Sequence, residues 1–146
     1  MRELLFLRDQ LLAKGYDADI TSWGGSVRTK MPSGMTVELG YDTFWIDHLG
    51  QPVLEPELCV YKKRTKKWPD DPSATTGKDG LRPAVFALET LETIAQGFAD
   101  VYGSARVLVS WEDARRRDVY DKVLGKRGYY FTTFDGHKYL EKIYHA

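Results

Sequence analysis

Near the C-terminus two runs of alternating side chains, Tyr129 to Phe134 and Lys138 to Tyr144, are separated by Asp135-Gly136. Asp-Gly is suited to the type I′ turn, whose backbone twist matches that of two antiparallel strands. A hairpin is therefore required at this end of the chain. Before it comes ARVLVS, Ala105 to Ser110, a short apolar run of the kind a buried parallel strand makes. Helical patterns lie on both sides of that run. Val85, Leu88, Leu91, Ile94, Ala95, Phe98 and Ala99 form one stripe, opened by Pro83 and ended by Gly103. The second helix begins at Glu112 and Asp113, where negative charge suits a helix N-terminus, and runs to about Leu124. It buries Val119, Tyr120, Val123 and Leu124 and leaves Arg115, Arg116 and Arg117 mostly exposed. The C-terminal half is thus a βαβ unit followed by a hairpin.

The N-terminal half has a different grammar. Leu4, Leu5, Leu7, Leu11 and Leu12 make a helical stripe over residues 3 to 14, with Gly15 as its stop. From Asp17 onward the period is two. Val27, Thr29 and Met31 alternate, Pro32-Ser33-Gly34 turns the chain, and Met35, Val37 and Leu39 resume; Phe44, Ile46 and His48 follow. Val53 to Lys63 reads as a longer strand in which Pro56 marks a bulge or a strand edge. This half is a meander of three or four antiparallel strands. The whole is a mixed α+β (α/β) domain, a mostly antiparallel central sheet with helices on both faces.

At 146 residues the chain fits one domain, 1–146, and folding to this size buries about 68% of the unfolded surface. Lys plus Arg equals Asp plus Glu, 21 against 21, so net charge favours neither a nucleic-acid coat nor an acidic partner. The single Cys59 cannot form an internal disulfide, and the absence of asparagine excludes N-glycosylation. No apolar run reaches about 18 residues, and the opening MRELLFLRDQLLAK is too charged for a secretory leader. The expectation is a cytoplasmic protein with no membrane association.

Residues 64 to 82 form a long connection, basic at first and then rich in Pro, Ser, Thr and Gly. A loop of this length in a compact domain is usually functional or mobile. Its end, Thr75-Thr76-Gly77-Lys78-Asp79-Gly80, enters the helix at Pro83. Glycine-bearing loops at helix N-termini offer N–H groups and the positive dipole end to phosphate. A P-loop is excluded, because Pro72 occupies the first glycine position and Asp79 the Ser or Thr that binds Mg²⁺. His48, His137 and His145 lack metal-ligand spacing, so no metal site is expected. The run Lys62-Lys63-Arg64-Thr65-Lys66-Lys67 suits phosphates or simply a solvated strand end balanced by Asp70 and Asp71; a nucleic-acid partner is the less favoured reading.

The order helix, meander, long loop, helix, strand, helix, hairpin resembles the GNAT superfamily of acyl-CoA-dependent N-acetyltransferases, in a small divergent form. The resemblance covers Met1 to Tyr144 as element order and is strongest in ARVLVSWEDARRRDVYDKVLGKRGYYF. It implies a sheet splayed between its fourth and fifth strands, with an open edge at Cys59, Val60 and Tyr61 for the pantetheine arm. Thr76, Gly77, Lys78 and Gly80 would cradle the pyrophosphate of acetyl-CoA, the implied co-substrate. Tyr120 would protonate the departing thiolate, and Glu57 would deprotonate a primary amine on a small molecule or protein. Read from the residues alone, Tyr120 also fits as a packing residue, Glu57 as a solvated strand start and Cys59 as a small core residue. The rival expectation is a GNAT-like scaffold without catalysis, acting as a protein-binding or phage accessory protein.

Overall fold

A computed structural model describes residues 4–61 and 79–146. Along the chain these residues form α1 (Leu5–Ala13), β1 (Asp17–Ile20), β2 (Gly24–Lys30), β3 (Thr36–Ile46) and β4 (Gln51–Tyr61). There follow α2 (Arg82–Tyr102), β5 (Ser104–Val109), α3 (Ala114–Gly125), β6 (Tyr130–Phe134) and β7 (His137–His145). The strands make one seven-stranded sheet in the order β1-β2-β3-β4-β5-β7-β6. Only the β4–β5 pairing is parallel; β1 through β4 are the antiparallel meander, and β5, β7 and β6 pair antiparallel. The fold is therefore a mixed α+β one, with an open and mostly antiparallel sheet.

The two faces of the sheet differ, and the register assigns each side chain to one of them. Val37, Leu39 and Tyr41 of β3 sit on the face that α2 covers, Tyr41 meeting Phe98 edge to face at 5.8 Å. Trp45 meets Tyr102 in the same way at 4.8 Å. Helix α1 lies beside α2: the Leu7 side chain fills the space over Gly97, where an added Cβ would meet it at 3.0 Å. Helix α3 joins them, since Arg127 just beyond its end pairs with Glu92 of α2 at 3.2 Å. The Arg127 carbonyl also accepts a hydrogen bond from Lys142 of β7 at 2.6 Å. All three helices thus share one face, which corrects the expectation of helices on both faces. The physical reason is handedness. The crossovers β4–α2–β5 and β5–α3–β6 both step in the same direction across the sheet, and right-handed connections then place both helices on the same side.

The other face has no helix over it among the described residues, and the sheet curls around it. Phe44 of β3 and Phe134 of β6 touch at 5.8 Å although β4, β5 and β7 lie between their strands. This explains a phase change in the sequence. Val37, Leu39 and Tyr41 are apolar on odd positions because α2 covers them, and Phe44 and Ile46 are apolar on even positions because the curled sheet meets itself there. At the floor of this trough Arg106 bonds Gln51 at 3.1 Å and Glu141 at 2.7 Å, and Tyr130 donates to Glu141 at 3.1 Å. None of the described helices is long and apolar enough to cross a membrane.

Candidate functional site

Strands β3 and β4 pair without interruption from Thr36↔Tyr61 to Ile46↔Gln51. Strands β4 and β5 pair only at Val53↔Arg106 and Leu54↔Val107. Beyond Leu54, β5 continues with β7 as far as Val109↔Leu140 while β4 continues with β3 to Tyr61. The two central strands therefore part in a V.

The direction of the backbone groups along the V follows from one hydrogen bond. The Thr43 N–H donates to the Trp23 carbonyl at 3.0 Å, away from β4. Thr43↔Leu54 is therefore a non-hydrogen-bonded pair, and Leu54 turns its own N–H and C=O toward β5. With period two, Pro56, Leu58 and Val60 turn theirs into the gap. Pro56 has no N–H to offer there, which is the placement a sheet tolerates for proline. No bulge is present: the β3–β4 ladder passes through Tyr41↔Pro56 in constant register, and Pro56 marks a strand edge.

A cleft of about 610 Å³ occupies the gap and is lined by residues of both faces of the sheet. On the helix side its wall is Ala84, Ala87, Leu88 and Leu91 of α2 with Val119, Tyr120 and Val123 of α3. At the crossing lie Pro56 and Leu58 of β4 and Val109 at the end of β5, with Ser110 and Trp111 just beyond it. On the uncovered face the lining becomes acidic, with Glu38, Asp42, Glu55 and Glu57 beside Cys59. Glu38 pairs with Arg28 at 3.3 Å, whereas Asp42, Glu55 and Glu57 have no ion-pair partner among the described residues. This side of the cleft carries excess negative charge.

Tyr120 and Glu57 face the same cavity from α3 and β4. Burial raises the Tyr120 phenol above the ordinary tyrosine value, with Arg116 opposing and Glu112, Asp113 and Glu57 adding to the rise. The phenol is therefore protonated at neutral pH and able to donate. Burial likewise pushes the Cys59 thiol up to about 11, helped by Glu57, Glu38 and Glu112. Held as a thiol, Cys59 is a poor nucleophile and a small lining group.

Of the other residues singled out from sequence, Val60 and Tyr61 are buried and lie off the cleft lining. The Tyr61 hydroxyl lies 3.5 Å from Glu38 Oε1. Gly80 adopts φ 60° in the turn before α2. The adjoining Asp79 carboxylate anchors this turn to the β2–β3 connection, accepting from the Ser33 N–H at 3.1 Å and the Ser33 hydroxyl at 2.6 Å. Thr76, Gly77, Lys78 and the basic run lie outside the described residues, as does most of the 64–82 connection.

Other lining residues, among them Arg116, Glu38, Asp42, Glu55 and Trp111, were not expected at a site. Arg116 was expected on the exposed side of its helix; instead it lines the cleft and pairs with Glu112 at 2.6 Å. The helix starts just before it, where the Asp113 carboxylate caps the Arg116 backbone N–H at 2.8 Å. No local signal marked these residues, because neither alternation in a strand nor a run of arginines says which side chain will border a gap. Among the described residues no three His, Cys, Asp or Glu side chains approach closely enough to hold a metal ion. Comparison of the chain with protein-family models, curated proteins and solved structures gives no match.

Proposed function

We propose that this protein is an acyl-CoA-dependent N-acetyltransferase acting by direct transfer. The observation that carries the reading is the cleft at the parting of β4 and β5, lined from both faces of the sheet, with Tyr120 and Glu57 on its walls. Two reactants of different character can then meet there. The helix side is apolar and bordered by a strand edge with an outward N–H group at Leu58, which suits an amide-containing thioester arm. The opposite side is acidic and suits a cationic amine.

In the reaction, the neutral amine nitrogen attacks the thioester carbonyl carbon and the C–S bond breaks. Glu57, directly or through water, takes the proton of the bound ammonium before the attack, and Tyr120 gives its phenolic proton to the departing thiolate and regains one from the product nitrogen. Tyr120 is in the required form at neutral pH because burial keeps it protonated. No covalent enzyme intermediate is needed, in keeping with the un-ionised Cys59 thiol.

Calorimetric titration with acetyl-CoA tests the reading. Saturable binding supports it. Absence of heat at millimolar acetyl-CoA removes it and leaves a scaffold of the same fold without catalysis.

A further inference from the structure

The sheet has two outer edges among the described residues, and they are built differently. Strand β1 is four residues long and carries Asp17 and Asp19. Strand β6, Tyr-Phe-Thr-Thr-Phe, has no charge and no proline, and it pairs with β7 without a bulge. Charges, prolines and bulges are the usual devices that keep a sheet edge from pairing with another chain. Tyr130 and Phe131 are 50% and 52% exposed on this strand.

The outward backbone groups of β6 can be assigned. Asp135 and Gly136 have φ 50° and 81°, the left-handed values of a two-residue type I′ turn. Such a turn makes Phe134↔His137 a hydrogen-bonded pair, and alternation makes Thr132↔Tyr139 and Tyr130↔Glu141 the next ones. Phe131 and Thr133 therefore point their N–H and C=O groups away from the sheet. These two residues flank Thr132 symmetrically.

We infer that β6 pairs antiparallel with β6 of a second copy of this chain, about a two-fold axis at Thr132, joining two sheets into one. The symmetry sets Phe131 opposite Thr133 of the second copy and Thr133 opposite its Phe131. Each pair exchanges two hydrogen bonds, so every outward group on both residues is satisfied. The surroundings are also self-complementary. A groove of about 750 Å³ runs between α3 and β6, lined among others by Trp111, Arg117, Asp118, Asp121, Phe131 and Lys138, with Arg117 already paired to Asp118 at 3.1 Å. Trp111 packs edge to face on Phe131 at 5.8 Å and holds it in place. Asp121 and Lys138 have no ion-pair partner among the described residues. Lys138 lies opposite Thr133, on the face that α3 covers. Across the two-fold the row reads Phe131, then Thr133 and Lys138 of the second copy. That lysine comes within two strand spacings, about 10 Å, of Phe131, and brings a cation to the groove that holds the unpaired Asp121. This match between Asp121 of one copy and Lys138 of the other selects a second copy over a foreign strand.

Sedimentation equilibrium of the full chain, at concentrations from micromolar to millimolar, tests the inference. Dimers of the 16.7 kDa chain are expected. Thr133→Pro removes an outward N–H without touching the ladder to β7, and Phe131→Lys puts charge on the edge. Each weakens self-association by about tenfold or more while leaving the circular dichroism spectrum unchanged. Lys138→Glu weakens it as well, and adding Asp121→Lys restores it. A wild-type chain that stays monomeric throughout overturns the inference, including the case where a foreign strand occupies the edge. Dimers that survive both Thr133→Pro and Phe131→Lys overturn it too. If Thr133→Pro does not fold, Phe131→Lys and the charge swap decide.

Discussion

Leu54 is the last residue of β4 to pair with β5, through Val107, and Pro56 follows on the same edge of the strand two positions later. The proline removes the N–H that would have continued the pairing. Val109 and Leu58, the next residues on either side, border an open cleft. The shape on which the proposed transfer depends is thus set by a missing donor as well as by the contacts that are made.

Replacing Tyr120 by Phe separates acid catalysis from packing. The ring still fills its place on α3, so acetyl-CoA affinity and thermal midpoint stay close to wild type. The transfer rate falls by about 100-fold, the usual scale for a general acid. Because the phenol titrates above the ordinary value of 10.0, loss of this acid does not reduce the wild-type rate below pH 10. Steady-state rates of both proteins across that range check the prediction.

Ala87 lines the helix side of the cleft. Ala87→Trp occupies the volume assigned to the thioester arm while leaving the acidic side untouched. Acetyl-CoA binding measured by calorimetry weakens by about tenfold or more, equivalent to ~1.4 kcal/mol. Affinity within twofold of wild type would place the arm elsewhere.

Arg106 and Glu141 are bonded at 2.7 Å with side chains 19% and 4% exposed. Arg106→Met leaves the carboxylate buried without its cation, at a cost of about 3 kcal/mol in unfolding free energy. Changing Glu141→Leu in the same chain recovers most of that loss, because a well-packed apolar pair replaces a desolvated ionic one. Urea denaturation of the single and double variants provides the comparison.

Alkaline stability has a definite sign. Tyr144 is raised from 10.0 to about 12 by burial, a shift the Tyr129 hydroxyl partly offsets. Tyr129 and Tyr41 are also raised, chiefly by burial. A raised acid holds more protons folded than unfolded, so its stabilising contribution is complete below pH 10. For Tyr144 it is lost as pH climbs from 10 through about 12, with a slope of at most ~1.4 kcal/mol per pH unit. Thermal midpoints unaffected by these groups up to pH 10 and declining above it are expected. Tyr144→Phe makes the decline shallower.

Much of the fold was legible in the residues, and some of the candidate site. Asp135-Gly136 announced its hairpin, Pro83 and Gly103 bracketed α2, and Pro56 was recognisable as marking either a bulge or an edge, of which the structure has the edge. Tyr120 and Glu57 were singled out from resemblance, and the structure brings both to one cavity. Arg116 was misread as exposed, because three adjacent arginines give no hint of which one will line a cleft and pair with Glu112.

By itself, then, the sequence determined what depends on near neighbours: the periods of the strands and helices, their ends, and the order in which they follow one another. Turn chemistry and side-chain alternation act over a few residues and survive in any arrangement of the whole. Tertiary structure alone decided that the three helices share a face, that β4 and β5 part after Leu54, and that Phe44 meets Phe134 across the curled sheet. These follow from crossover handedness and accumulated strand twist, which join residues far apart in the chain and leave no local pattern in it.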